Sequence, residues 1–201
     1  KKFLNEQVPT HPVSPYGRSK LAFEWLLSDL LYKKNINYIF LRYFNVAGAD
    51  LKNRCGEVGK KSSHLIKILV EYINSKRDEI KIFGDNFKTK DGTCIRDYIH
   101  ICDLVDAHFL AGKYLIKNKK SNIFNLGSGK GFSVMEIIKK AEKIFNKEIK
   151  IKLCSPRIGD TARLVADSKN AKKKLNWNPK FSTIETILRT ASQWEEKLTK
   201  K

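Results

Sequence analysis

The chain has 201 residues, 41% of them hydrophobic, enough for one sizeable packed domain or two small ones and inconsistent with global disorder. Lys and Arg number 40 against 21 Asp and Glu, for a formal net charge of +19. The cations are mostly Lys spread along the whole chain, and the densest runs (Lys117 to Lys120, Lys172 to Lys174) lack interleaved aromatics or an Arg-rich stripe, so a solvated surface is favoured over a nucleic-acid partner.

No apolar run approaches the ~18 residues of a membrane helix, so no membrane partner is expected. The chain opens Lys1-Lys2 with neither Met nor a signal-like apolar region. That opening fits a fragment or a processed chain. Cys55, Cys94, Cys102 and Cys154 form no CxxC pair, which argues against zinc and for a reducing, cytoplasmic setting. His100 and Cys102, with Asp103 and His108 nearby, match no standard metal spacing. No metal is expected.

In chain order, residues 1–13 read as a loop. Ser14 to about Tyr32 reads as a helix with an apolar face of Leu21, Trp25, Leu27, Leu30 and Leu31. Residues 38–44 form a nearly continuous apolar run, the pattern of a buried parallel strand. Residues 45–61, with three Gly, read as a loop, and residues 63–75 as a helix. Ile80 to Phe83 is a short strand, and Gly84 to Thr93 a polar loop. Residues 98–101 read as a strand, with Asp103 capping a helix to about Ile116. Ile123 to Leu126 is a strand, and Ser133 caps a helix through Phe145. Residues 149–153 alternate as a half-exposed strand. Asp167 to Leu175 and Thr183 to Leu198 are the last helices. Strand and helix alternate throughout, which argues for an α/β fold.

Two features carry chemistry. Tyr16 and Lys20 are four residues apart, on one helical face. Ser14 suits the N-cap and Pro15 the first helical position, so Tyr16 falls in the opening turn. A free Tyr titrates near pKa ~10. An ammonium one turn away and the helix dipole both lower that value, which brings a phenolate base within reach of neutral pH. The second feature is Asn125-Leu126-Gly127-Ser128-Gly129-Lys130-Gly131, set between a strand and a helix. It does not fit G-x-G-x-x-G, because Phe132 stands where Gly or Ala belongs. A tight turn is favoured over a phosphate loop.

Several segments recur in a fixed order: Ser14-Pro15-Tyr16-Gly17-Arg18-Ser19-Lys20, residues 41–49 (LRYFNVAGA), residues 82–85 (IFGD), residues 91–100 (DGTCIRDYIH), residues 125–129 (NLGSG) and residues 157–160 (RIGD). Together they resemble the UDP-glucose 4-epimerase family of extended short-chain dehydrogenases/reductases, over essentially the whole chain. Residues 91–100 favour the epimerases over sister nucleotide-sugar dehydratases.

The resemblance implies a Rossmann-like α/β fold with a smaller substrate-binding domain, an NAD cofactor, a UDP-sugar substrate and a homodimer. Residues 1–48 would be the remnant of the dinucleotide-binding domain. Residues 49–201 would be mainly UDP-sugar binding, with 94–128 returning to the Rossmann sheet. Tyr16 matches the catalytic base, and Lys20 the residue that holds the nicotinamide ribose and lowers the Tyr pKa. Phe44 falls at the cofactor and Asn45 at the sugar nucleotide. His64 and Leu65 open the segment on the diphosphate side, and Lys81, Ile82 and Phe83 lie along uracil and ribose. Arg96 matches the arginine that pairs with the diphosphate, and Arg157 with Asp160 the clamp on phosphate and ribose, chemistry that suits an Arg fork and a carboxylate. Leu164 sits beside the sugar, at a size that leaves N-acetyl selectivity open.

The family begins with a Gly-rich βαβ fold that binds the rest of NAD. Residues 1–13 contain no counterpart of it, nor of the family's Ser or Thr at the 4-hydroxyl. The expectation is therefore the C-terminal portion of an epimerase, inactive alone and with an apolar patch exposed near Leu41 and Tyr43. A non-catalytic nucleotide-sugar module, another nucleotide-sugar epimerase or dehydratase, and a polyanion-binding basic domain remain as alternatives.

Overall fold

The computed structural model describes residues 3–59 and 62–200. Lys1 and Lys2, at the head of the expected opening loop, and Lys60 and Lys61, at the end of the loop expected over 45–61, lie outside them. Helix α1 (Pro15–Lys33) starts as its sequence dictates. Extended Ser14 accepts the Gly17 N–H at 3.1 Å and Pro15 occupies the first position. Strand β1 (Ile39–Tyr43) runs parallel to β5 (Asn122–Leu126), with Ile39 opposite Asn122 and Tyr43 opposite Leu126.

Strand β2 (Asn45–Ala47) pairs in parallel with β4 (Ile95–His100), which also carries antiparallel β6 (Gly131–Ser133) and parallel β8 (Arg163–Leu164). Strand β3 (Ile80–Phe83) pairs in parallel with β7 (Ile151–Cys154). The remaining helices are α2 (Leu65–Ile73), α3 (Ile101–Asn118), α4 (Val134–Phe145), α5 (Lys169–Leu175) and α6 (Ile184–Thr199).

Apolar burial is divided between two clusters. One joins α2, α4 and α6 to β3 and β4 through Ile66, Leu69, Ile80, Ile82, Tyr98, Ile137 and Ile187. The other packs α3 and α5 on β5 through Leu104, Ala107, Ala111, Phe124, Leu126, Ala171 and Leu175, with Trp177 just beyond α5. The Trp177 indole N–H also donates to the Asp103 carbonyl at 2.9 Å, so its polar edge is not left unpaired in the core.

Several expectations are corrected. β1 is half-exposed rather than buried, and of the patch expected near Leu41 and Tyr43 the exposed member is Tyr43, at 52%. Ile39 and Leu41 do pack on the second cluster, but β5 is the one strand paired with β1 among the described residues. The apolar face of α1 is not a core face either. The helix buries none of its residues, and Trp25 and Leu30 are exposed.

Residues 45–47 are strand rather than loop, because they pair with β4; a three-residue segment carries too little pattern to announce itself. The same holds for β6 and β8. Leu4, in the expected opening loop, bridges Ala166. β7 begins at Ile151 and is exposed over its first three residues, while Ile149 is buried ahead of it.

Asp103 does not cap α3. The helix starts at Ile101, and His100 is the cap, its Nδ1 accepting the Cys102 N–H at 3.1 Å. Buried Asp103 instead accepts from Lys180 N–H, Phe181 N–H and the Ser182 hydroxyl, which fastens the segment before α6. The caps expected at Ser133 and Thr183 are present, Ser133 within a capping box with Glu136.

The Gly-rich loop after β5 has a specific internal partner. Asp97, fully buried on β4, accepts the Ser128 N–H (2.9 Å) and hydroxyl (2.6 Å), the Gly129 N–H (3.0 Å) and the Ala166 N–H (3.1 Å). Burial pushes this carboxyl above its ordinary range, opposed by those donors. Amides that a phosphate loop would turn toward a ligand are occupied here by a side chain of the same chain. The turn reading of the sequence stands.

Candidate active site

Tyr16 stands in the first turn of α1 and is 72% exposed. The Lys20 ammonium lies 5.3 Å from the centroid of its ring. Among the described residues neither the phenol nor the ammonium has an ion-pair partner. Phe44 follows β1 directly, and its N–H donates to the Leu126 carbonyl at 3.0 Å.

A second group of the expected residues converges at the ends of β3, β4 and β8. The Arg157 guanidinium stacks on the Phe83 ring, 3.8 Å from its centroid. Arg96 donates to the carbonyls of Ile95 (2.9 Å) and Thr161 (2.7 Å) and meets Asp160 at 3.3 Å. Leu164 is the register partner of Arg96. Phe83, Arg96 and the 157–164 segment with Arg157, Asp160 and Leu164, three separate stretches of sequence, therefore form one cluster. Its two fixed guanidinium planes and one carboxylate suit a phosphate and a diol.

Gly159 joins this cluster to α1. Its φ of +86° is one that side-chain-bearing residues rarely adopt, and a Cβ there would come within 3.3 Å of the Val13 carbonyl and 3.6 Å of the Ser14 Cβ. The turn carrying Arg157 and Asp160 therefore rests on the cap that begins the Tyr16 helix.

A third group lines a cleft between β2, α2 and α6. Asn45, His64 and Leu65 border it, together with Tyr98, Glu57 and Trp194. Asn45 stands opposite Tyr98 across β2 and β4. Burial holds the Tyr98 phenol neutral, its pKa well above the usual value. His64 occupies the N-cap of α2 without a side-chain capping bond. The opening amides of that helix are thus not capped by the His64 side chain, and a helix N-terminus favours an anion.

The expected uracil strand divides by face. Lys81 is exposed, Phe83 half-buried, and Ile82 lies in the core at 2% exposure, so Ile82 can meet a ligand only through its backbone. Sequence reasoning missed Glu57, Tyr98 and Trp194 as cleft residues and missed Glu24 and Arg42, which bind α1 to β1. The i, i+4, i+8 row of Tyr16, Lys20 and Glu24 was visible; the partner of Glu24 was not.

Residues present fit part of a dinucleotide site and not the whole of it. The exposed phenol and ammonium at Tyr16 and Lys20 suit a ribose and its ring. The Gly127 to Gly129 amides do not suit a phosphate, because the Ser168 hydroxyl occupies the first and Asp97 the other two. Among the described residues no three His, Cys, Asp or Glu side chains gather as a metal site. No helix there is long and apolar enough to cross a membrane.

Comparison with known proteins agrees with this geometry. UDP-glucose 4-epimerase of Halalkalibacterium halodurans is 42% identical over 193 residues, 96% of this chain and 58% of that protein. A solved UDP-glucose 4-epimerase from Stenotrophomonas maltophila, with bound NAD and formylated UDP-arabinopyranose, superposes with a TM-score of 0.92 at 33% identity, covering 98% of this chain and 59% of that one. The Bifidobacterium longum UDP-glucose 4-epimerase, in complex with NAD+ and UDP, gives 0.89 at 33% identity, covering 97% and 58%. The chain thus spans a little under three fifths of the length of these relatives. The model of the NAD dependent epimerase/dehydratase family matches residues 2–127, more than half of the chain, and with the parallel strand pairs and the Tyr16–Lys20 helix already described this shows that the chain belongs to that family.

Proposed function

We propose that this chain carries the base pair and the UDP-sugar grip of an NAD-dependent UDP-glucose 4-epimerase, as the C-terminal portion of such an enzyme. The observation that carries the reading is the Phe83, Arg96, Arg157, Asp160 cluster resting on the cap of the Tyr16 helix. The relatives that cover nearly all of this chain bear that name.

Arg96 and Arg157 would neutralise the diphosphate, and Asp160 would accept from the ribose diol. The opening amides of α2, behind His64 and Leu65, would add donors on the diphosphate side, with Asn45 at the sugar nucleotide. Lys81, Ile82 (through its backbone) and Phe83 would border uracil, and Leu164 the sugar. Tyr16 would take the proton of the 4-hydroxyl and return it after the 4-keto sugar has turned over. Lys20, over the Tyr16 ring, would hold the nicotinamide ribose, with Phe44 beside the nicotinamide. The chemistry that NAD would supply when bound is reversible acceptance of the hydride from the sugar C4. Binding through the nucleotide half leaves the sugar free to present either face. Residues 1–48 would belong to the dinucleotide-binding part and 49–201 mainly to the substrate part, with 94–128 in the sheet.

The four cysteines are free thiols, which supports a cytoplasmic setting. The exposed aromatic side chains of α1 support association of two copies.

Titration calorimetry with UDP tests the binding reading. Binding by the wild-type chain and its loss in Arg157→Ala and Arg96→Ala is expected; equal binding by all three would overturn it. The high exposure of Tyr16 favours a second reading, a nucleotide-sugar module that binds without turnover. Epimerisation by the purified chain, abolished in Tyr16→Phe, would decide against it.

A further inference from the structure

Helix α1 carries Tyr16 and Lys20 yet buries none of its residues, so packing alone does little to fix it. What it does make is a two-pronged ion pair. Arg42 of β1 donates from Nε to both Glu24 oxygens (2.8 and 3.2 Å) and from Nη2 to Oε2 (2.5 Å). Both side chains are largely covered, at 25% and 20% exposure. Arg42 stands two residues before Phe44 and three before Asn45.

Glu24 is one turn beyond Lys20, as Lys20 is one turn beyond Tyr16, so the ammonium has two partners available at i±4 spacing. The phenol ring lies on one side and the carboxylate on the other. The ammonium is found over the ring, and no Lys20–Glu24 ion pair occurs among the described residues. The Arg fork explains that choice. It occupies both carboxylate oxygens and neutralises the charge that would draw Lys20 up the helix.

We infer that Arg42 is a positioning residue: by sequestering Glu24 it leaves the Lys20 ammonium to Tyr16. Arg42 touches neither reacting group and acts through Glu24 and Lys20. Its catalytic meaning rests on the reading of Tyr16 and Lys20 as the base pair, but the geometric statement does not.

The ring-current shift of the Lys20 ε-methylene, measured by NMR on the full chain with selectively labelled Lys, reports whether the ammonium sits over the phenol. In Arg42→Met the carboxylate is released and the upfield shift should fall to about half, the scale of one i,i+4 ion pair competing for the side chain. Adding Glu24→Gln to that variant should restore it, and Glu24→Gln alone should leave it unchanged. If Arg42→Met does not fold, Arg42→Lys carries the test. One ammonium cannot satisfy both oxygens, so the shift should fall partway and return when Glu24→Gln is added. An unchanged shift in the Arg42 variants overturns the proposal. So does a loss that Glu24→Gln fails to rescue, since Arg42 would then merely hold the helix. Failure of the functional reading would appear separately, as absent UDP binding in calorimetry.

Discussion

The same substitution, Gly to Ala, should have opposite effects at Gly127 and Gly112. A Cβ at Gly127 would lie 2.5 Å from Asp97 Oδ2 and 2.7 Å from the Ala166 Cβ, and both neighbours are buried. The loop cannot back away easily, because the Ser168 hydroxyl both accepts from the Gly127 N–H (3.0 Å) and donates to its carbonyl (2.9 Å). Overpacking of this kind costs about 1–3 kcal/mol. Displacing the Asp97 carboxylate also weakens its bonds to Ser128, Gly129 and Ala166, and each buried donor left unpaired costs about 1–3 kcal/mol. Partial relaxation puts the sum near 3 kcal/mol, which for a chain of this length lowers Tm by about 6–12 °C.

Gly112 lies exposed inside α3 with nothing within 4 Å of its would-be Cβ. Ala there should add about 0.8–1 kcal/mol of helix propensity and raise Tm by about 2–4 °C. Thermal melts followed by far-ultraviolet circular dichroism read both. Gly127→Ala melting within about 2 °C of wild type would refute the view that this loop is closed around Asp97.

Further outcomes follow from the ion pairs and the buried imidazole. Glu195 is buried and bridges Lys67 and Lys76 at 2.5 Å each, tying α6 to α2. Glu195→Gln leaves the buried Lys67 ammonium with the more distant Glu71 (3.8 Å); a loss of about 3 kcal/mol is expected in chemical denaturation, and an unchanged midpoint would show the network to be idle. His100 has both ring nitrogens committed. Nδ1 accepts the Cys102 N–H, so Nε2 carries the proton and donates to Thr190 Oγ1 at 3.1 Å. Burial lowers its pKa, partly opposed by Asp103. The unfolded chain therefore takes up a proton that the native state resists, and stability should fall as pH drops below ~6.5, by up to ~1.4 kcal/mol per pH unit, until the native imidazole titrates. In His100→Gln that slope should flatten when melts are compared across the range; an unaltered slope would assign it elsewhere. Arg157→Lys keeps the charge but loses the planar stack on Phe83, so UDP affinity should fall about tenfold in calorimetry, whereas wild-type affinity would show that charge alone suffices.

The 91–100 segment carried much of the family resemblance, and the structure gives its residues separate duties. Asp91 accepts from Thr93 and from the Ser133 hydroxyl, which locks the start of α4. Arg96 pairs with Asp160, Asp97 closes the Gly-rich loop, Tyr98 stands opposite Asn45, and His100 caps α3. A one-dimensional pattern recorded the residue types but not these partners, because most of them (Ser133, Asp160, Ser128 and Asn45) come from other parts of the chain.

The sequence by itself determined what is local. Ser14-Pro15 starts α1, Ser133 and Thr183 start α4 and α6, and the spacing of Tyr16 and Lys20 places them on one helical face; each depends on interactions within a turn or two. Only the tertiary structure decided what requires a distant partner. It made strands of residues 45–47, 131–133 and 163–164, moved the α3 cap from Asp103 to His100, and closed the Gly127 loop on a carboxylate. It also left β1 half-exposed and the apolar side of α1 without a buried residue among the described residues, although their composition reads as buried. Hydrophobicity reports that a surface prefers to be covered. What covers it depends on the neighbour, which local pattern cannot name.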